Sequence, residues 1–501
     1  MITNSKIERE MKRFFRSAAI VAAVMTAVGM VSCKSDDNSL DPGAGSGSGS
    51  GQTLDLGDGS SAYEINSNMT LSYPNTYNLK GFVYVTAGNT LTIEPGVIVK
   101  GDKESKATLI VERGAKIIAR GTVDRPIVMT SAKAPGMRKP GDWGGLIILG
   151  KARNNKGEMT IEGGVRSQHG GQDDADNSGV LSYVRVEFAG VEYSLDNEIN
   201  GITFGSVGSG TTVDHVQVSY SGDDSYEWFG GKVNCKYLVA LRTWDDDFDT
   251  DNGFQGKLQF LVGLRDPKTA DKSSSNGFES DNMAEGTPTD PYTRPIFANV
   301  SLFGPVDNPA TYSDEGNTYG SEMAIFQAGS QIRRSSQLNL FNSVIAGWPI
   351  GLIIENDKSG SMTQQNATAG YCNISGCVMA GMRKNFQDLA RNPKDRSDVV
   401  NPSDPGTFVT GYWNTPALMN DAPLASMSDL AMQGDPQNLT NPNFCPSSSS
   451  PLASGAVWSH AYVQDGFFTK TSYRGAFSPN ETIGNNWMTG WTNFDPQNTV
   501  Y

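Results

Sequence analysis

Asp224-Ser225-Tyr226-Glu227, Asp246-Asp247-Phe248-Asp249 and Asn276-Gly277-Phe278-Glu279 are the stretches whose spacing decides the fold. The first two are 22 residues apart and the third follows after 30. The apolar runs ahead of them keep the shorter step. Val216, Val218 and Tyr220 precede Leu238, Ala240 and Arg242 by 22 residues, and these precede Phe260, Val262 and Leu264 by another 22. Alternating apolar positions at such a period suit one coil of a right-handed parallel β-helix, whose inner face stays wet until a neighbouring coil stacks on it. Equivalent side chains then form ladders: Tyr226, Phe248 and Phe278 in an aromatic one, and Glu227, Asp249 and Glu279 in an acidic one beside it.

Working outward, short β-rich runs broken by Gly, Asn and Asp extend from Leu79 to Val378, as in Thr90-Leu91-Thr92-Ile93 and Gly145-Leu146-Ile147-Ile148-Leu149. The expected fold class is therefore all-β, a parallel solenoid over residues 61–380. Beyond it, Phe386 to Ala390 and Leu424 to Met432 read as short helices among Pro-rich turns. Residues 381–501 form an appendage ending in an aromatic cap made by Trp458, Phe467, Phe468, Trp487, Trp491 and Phe494, because an open solenoid end exposes strand edges and core.

The N-terminus carries a different message. Lys12, Arg13 and Arg16 precede an apolar run from Ala18 to Val31, and Met30-Val31-Ser32 leads into Cys33. That order reads as a secretory signal over residues 1–32 closed by a lipid-accepting cysteine. The run of 14 residues is short for a spanning helix, which takes about 20. Residues 33–60 read as a flexible linker, almost all Gly and Ser from Gly43 to Gly51. The pair Asp36-Asp37 resembles a surface-export signal of Bacteroidetes lipoproteins, which implies a body facing outward from the outer membrane.

Formal charge is −14, and residues 1–32 hold five Lys/Arg against two Asp/Glu, so the remainder stands near −17. Such a surface disfavours nucleic acid and favours divalent cations or basic partners. Cys235, Cys372, Cys377 and Cys445 sit in a compartment that tolerates disulfides; Cys372 and Cys377 can pair with each other or with Cys445. Three His and no HExxH or CxxC pattern argue against zinc.

The strongest chemical constellation is acidic: Asp223, Asp224, Glu227, Asp245, Asp246, Asp247, Asp249, Asp251, Glu279 and Asp281. Stacked strands are about 4.8 Å apart, so carboxylates on adjacent coils repel unless protonated, hydrated or bridged by a cation. Calcium, a hard ion with six to eight oxygen ligands, is the natural candidate for a cofactor; the competing reading is Asp and Asn side chains capping turns and facing water. Tyr226, Trp228, Trp244, Phe248 and Phe278 are the expected ligand-contacting aromatics. A polysaccharide lyase would need a base and a cation near a uronate, for which Arg242 and Arg265 are the candidates. Their offset in the 22-residue step predicts that they point to different faces. The acidic loop His169 to Asn177 reads as a turn held by Asx hydrogen bonds, His215 and His460 as packed side chains, and Gly205 to Gly210 as a Gly-rich loop with neither a nucleophile elbow nor a phosphate cradle.

The segments Thr90 to Gly96, Gly141 to Gly145, Tyr183 to Gly190 and Gly490 to Pro496, with the Asp-rich turns, resemble a family of Bacteroidetes β-helix outer-membrane lipoproteins. The resemblance runs from about residue 70 to the C-terminus and implies fold and location; that family has no established activity. The expected function is a surface binding module for a glycan, a peptide or a TonB-dependent receptor partner, ahead of a structural or adhesive role and a calcium-dependent lyase.

Overall fold

The computed structural model describes residues 51–194, 197–313, 318–319, 322–390 and 399–501. The signal segment, Cys33 and most of the linker lie outside them. Two parallel sheets run the length of the molecule, one of 11 strands from Tyr63–Ile65 to Lys384–Gln387 and one of 16 strands from Thr53–Leu56 to Asn373–Ser375 and Val378–Ala380. The chain alternates between them coil by coil, which is the parallel β-helix expected. Its strands begin at Thr53 and end at Gln387, slightly outside residues 61–380.

The 16-stranded sheet is folded along a line. Early coils make the fold with two strands and a loop, as in Lys116–Arg120 and Ile127–Ser131, both of which pair with Gly179–Glu187. Later coils make it with one left-handed residue, inside a continuous strand at Tyr183, His215, Tyr237, Phe260 and Asn299 and between two short strands at Asn342, with φ from 51° to 63°, and then at Gly376, φ 66°. Only the last is glycine, although this conformation normally costs other residues about 1–2 kcal/mol. At the first four, ring stacking offsets that cost, with His215 4.4 Å from both Tyr183 and Tyr237 and Tyr237 5.2 Å from Phe260; Asn299 and Asn342 instead donate to the carbonyls of Gly475 and Val457, each at 3.0 Å.

The register supports the 22-residue step where Tyr226 pairs with Phe248 and Glu227 with Asp249. It corrects the next step. Leu238 pairs with Leu261 and not Phe260, so that coil advances by 23 and Phe260 becomes the corner residue. Inward ladders such as Val216, Leu238 and Leu261 are wholly buried, as burial on both faces of a parallel sheet requires.

The C-terminal region also differs from expectation. Phe386 belongs to the last strand, and Leu424 to Met432 contains one 3-10 turn, Met427–Leu430. The end of the solenoid is closed by a helix at Thr407–Trp413: Val409 and Trp413 enter the core, and the Tyr412 hydroxyl donates to the Cys372 carbonyl at 2.9 Å. The aromatic cap instead lies along the side of the coils as a strap. The Gln259 amide exchanges two hydrogen bonds with the Thr469 backbone and the Gln217 amide two with Asn493, each imitating a β-bridge. Tyr501 reaches the buried Glu187 at 2.6 Å. All four described cysteines are free thiols and buried, so neither proposed pairing forms among the described residues.

Candidate functional site

The outward ladder on the 11-stranded sheet runs Ile110, Ile147, Thr203, Glu227, Asp249, Glu279, Gln331, Ile353. Its apolar ends are covered. Tyr84, Ile110, Ile147 and Leu149 pack under Ile161, Val165, Val191 and Ile199 from inserted loops, and Ile350 and Ile353 pack with Ile325 and Val399. Between the two covers is a cleft floored by carboxylates. The next outward ladder holds one cation among three acids: Asp251, Asp281, Arg333 and Glu355 follow one another, with the N–H of Asp281, Arg333 and Glu355 each bonded to a carbonyl of the preceding coil.

The turns entering this sheet carry a third ladder that separates structural from surplus acids. Asn200 accepts the Asp224 N–H at 3.2 Å, Asp224 accepts the Asp246 N–H at 2.8 Å, Asp246 accepts the Asn276 N–H, and Asn276 accepts the Ala328 N–H at 3.2 Å. Each side chain satisfies a donor on the following coil, so Asp224 and Asp246 do the turn-capping work that competes with the metal reading. Their charge remains surplus to it.

The cleft is electrostatically unsatisfied. Burial and then the neighbouring carboxylates push Asp223, Asp224, Glu227, Asp246 and Asp249 far above the usual carboxylate range. Asp245 is pushed up to about 8 by burial and Asp271, and Asp251 to about 7 by burial and Asp281. Arg333 pairs with Glu279 and, at 2.9 Å, with Asp281; Arg334 pairs with Asp281 at 2.6 Å and Asp357 at 3.2 Å. Burial still leaves Glu279 raised to about 6.

Two groups bring carboxylate oxygens within 4.8 Å of one another: Asp223, Asp224 and Asp245, and Asp224, Glu227 and Asp249. Oxygens so spaced fit on a sphere whose radius matches the 2.3–2.6 Å of calcium coordination. Asp249 Oδ1 is buried with no hydrogen-bond partner, which is the condition a cation would relieve. The donor set thus suits a hard ion and leaves coordination positions for water or ligand oxygens.

Several expected site residues stand elsewhere. Asp247 turns inward to a fully buried ion pair with Arg265 at 3.0 Å, so neither faces the cleft. Arg265 also donates to the Trp244 carbonyl at 2.9 Å and lies over the Phe326 ring, which removes it as a saccharide contact. Arg242 pairs with Asp266 at 2.5 Å on the opposite side of the corner. Tyr226, Phe248 and Phe278 form the expected ladder, but inside the core, where Trp228 is also buried: Tyr226 to Phe248 and Phe248 to Phe278 are each 5.6 Å, with no solvent exposure. The strand period places Glu227 and Tyr226 on opposite faces, so an acidic ladder outside requires the aromatic one inside. Of the five aromatics only Trp244 reaches the surface.

The loop after His169 is an ordered turn. Asp174 pairs with Arg153 and, at 2.8 Å, with Lys232, and Asp173 accepts the Ala175 N–H. His169 is buried against Ser206 Oγ at 2.9 Å, and burial lowers its pKa to about 4. Asn200, Asn276, Gln331, Arg333, Arg334 and Glu162, which burial and Glu198 raise to about 7, are among the site residues that sequence reasoning missed. Asn200 and Asn276 flank the acidic pair in one capping ladder, a role an Asx residue at each coil step would signal; the 52 residues from Glu279 to Gln331 hide Gln331, Arg333 and Arg334 from any constant period.

A family model described as a pectate-lyase-like beta helix domain matches residues 63–403. No curated protein and no solved structure matches the chain.

Proposed function

The chain belongs to the family of pectate-lyase-like β-helix domains, and from that premise we propose a non-catalytic binding module that captures extracellular polysaccharide through a calcium-loaded cleft. It is a Bacteroidetes lipoprotein on this reading, held to the outer membrane through Cys33 and facing outward. The observation that carries the proposal is the pair of carboxylate triads sharing Asp224, with Asp249 Oδ1 buried and unpartnered between the two covers. Calcium there neutralises the floor and offers its remaining coordination positions to ligand oxygens. The cleft arginines Arg333 and Arg334 are engaged with carboxylates, and Arg265 is held in the core by Asp247, which supports binding over proton abstraction.

Calorimetric titration of calcium into the EDTA-stripped protein tests the metal, with Asp249→Asn and Glu227→Gln as weakened variants. Polysaccharide added to the loaded protein then separates the readings. Binding without new absorbance from unsaturated sugar supports the module; such absorbance makes it a lyase. No calcium uptake, with Asp249→Asn behaving as the parent, refutes the cation site.

A further inference from the structure

Asp249 Oδ1, Asn252 Oδ1 and Asn155 Oδ1 are buried oxygens with no hydrogen-bond partner, and all three are acceptors. The two amides are oriented from their other side: Asn155 Nδ2 donates to the Asn282 carbonyl at 2.7 Å, and Asn252 Nδ2 to Asp251 Oδ2 at 3.0 Å. The Asn155 N–H also donates to the Asn252 carbonyl at 3.0 Å. Asp251, Asn252 and Asn155 thus form one group, and Asp251 follows Asp249 by two residues on the strand Phe248–Asp251. Neither carboxylate triad includes any of these three. A compact ion seated in the triads leaves this second group of acceptors unmet. The cations nearby are engaged elsewhere: Lys156 lies 4.0 Å from Glu285, Arg334 pairs with Asp281 and Asp357, and Arg333 with Glu279 and Asp281. Lys156 and Arg334 act on Asp251 through space. The half-buried Phe229 precedes Asp251 on the same outward ladder, as Glu227 precedes Asp249.

We propose that the cleft binds a linear aliphatic diamine, with one ammonium at Glu227 and Asp249, the other at Asp251, Asn252 and Asn155, and the methylene chain beside Phe229. A primary ammonium has three donors and no acceptor, which is what a group of unmet acceptors lacks. Asp249 and Asp251 are half-buried and stand on the outer face, separated by about 6.6 Å at the ordinary strand rise. Four methylenes hold two nitrogens about 6 Å apart when extended, by ordinary single-bond lengths. Aliphatic ammoniums stay charged at neutral pH, as that of lysine does, and hydrogen bonds to ionised partners are the stronger ones. The inference goes beyond the reading above and needs neither its calcium nor its polysaccharide. Diamine and calcium share Asp249, so they compete.

The test titrates the full chain in EDTA, by calorimetry, with α,ω-diamines of two, four and six methylenes and with butylamine as a single-ammonium control. Calcium is titrated separately and then in competition. The expected result is one equivalent of the four-methylene diamine, bound about tenfold or more tighter than the two-methylene diamine or butylamine. Asp251→Asn should weaken the diamine about tenfold and leave calcium uptake unchanged, whereas Asp249→Asn should weaken both. Each variant keeps its side-chain size and removes a repelling charge, so both should fold, which urea unfolding checks. Equal affinity for all four amines, several loosely held equivalents as on any acidic surface, or an undiminished response in Asp251→Asn overturns the inference. Diamine binding without calcium uptake leaves it standing and removes the cation site; calcium uptake that the diamine does not weaken does the reverse.

Discussion

In EDTA this protein should become more stable as the pH is lowered from about 8 towards 5, opposite to ordinary acid denaturation. The folded-state values of Asp245, Asp251 and Glu279 are raised to about 8, 7 and 6, whereas unfolded Asp and Glu titrate near 3.9 and 4.3. Between those limits the folded chain holds protons that the unfolded chain has lost. A raised carboxyl therefore favours folding below its unfolded value, and that stability is lost as pH rises through the folded value. Each proton so held is worth about 1 kcal/mol per pH unit, so Asp245 and Asp251, with the other raised carboxyls of the strip, set a slope on the order of a few kcal/mol per unit near neutrality. Arg333, Arg334 and Lys156 face the same carboxylates and reduce the slope. Calcium requires the ionised form, so loading should flatten the dependence and expel protons. Urea unfolding at about pH 5.5, 6.5 and 7.5, in EDTA and in calcium, reads the slope. Calorimetry in two buffers of different ionisation enthalpy reads the protons. A stability in EDTA that is level or rises with pH, with no proton release on calcium addition, would refute the account.

Three further outcomes test the rest of the structure. Asp246→Asn keeps the acceptor for the Asn276 N–H and removes one repelling charge, so in EDTA it should match or exceed the parent, while Asp246→Ala should lose about 1–3 kcal/mol in the same urea assay. Arg265→Met strands Asp247 in the core and should cost about 3–5 kcal/mol; pairing it with Asp247→Leu should recover much of that, and a double variant as weak as the single one would contradict the buried-pair reading. Trp228→Ala opens a void between Phe204 and Phe254 and should cost about 3–5 kcal/mol by thermal or urea unfolding.

The coil and both of its central ladders were legible because repetition is a property of spacing, and Asp224 to Glu227 recurs unchanged in step at Asp246 to Asp249. Which ladder faces inward was equally available: apolar alternation places Tyr226 and Trp228 on one side and Glu227 on the other. Treating both as ligand contacts set that alternation aside. The inward turn of Asp247 could not be read, because its partner Arg265 lies in the following turn, where the coil length had changed by one residue. Nor could the covers over the acidic strip be foreseen. Val165, Ile199 and Val399 lie in irregular insertions, and loops that pack on an outer sheet face carry no period of their own.

The C-terminal strap changes how the array behaves as a material. A solenoid whose coils touch only neighbours frays from its ends, one unit at a time. Here Asn342, Asn299, Gln259, Gln217 and Glu187, on five of six successive coils, are all tied to the segment from Val457 to Tyr501, and Lys236 on the sixth donates to the Thr469 hydroxyl at 3.2 Å. No coil in that span can open alone without dragging on the others, so the middle of the molecule should melt as one block. The strap is synthesised after every coil it binds, so that block cannot form, and the outer face of the bent sheet stays bare, until the strap itself has been made.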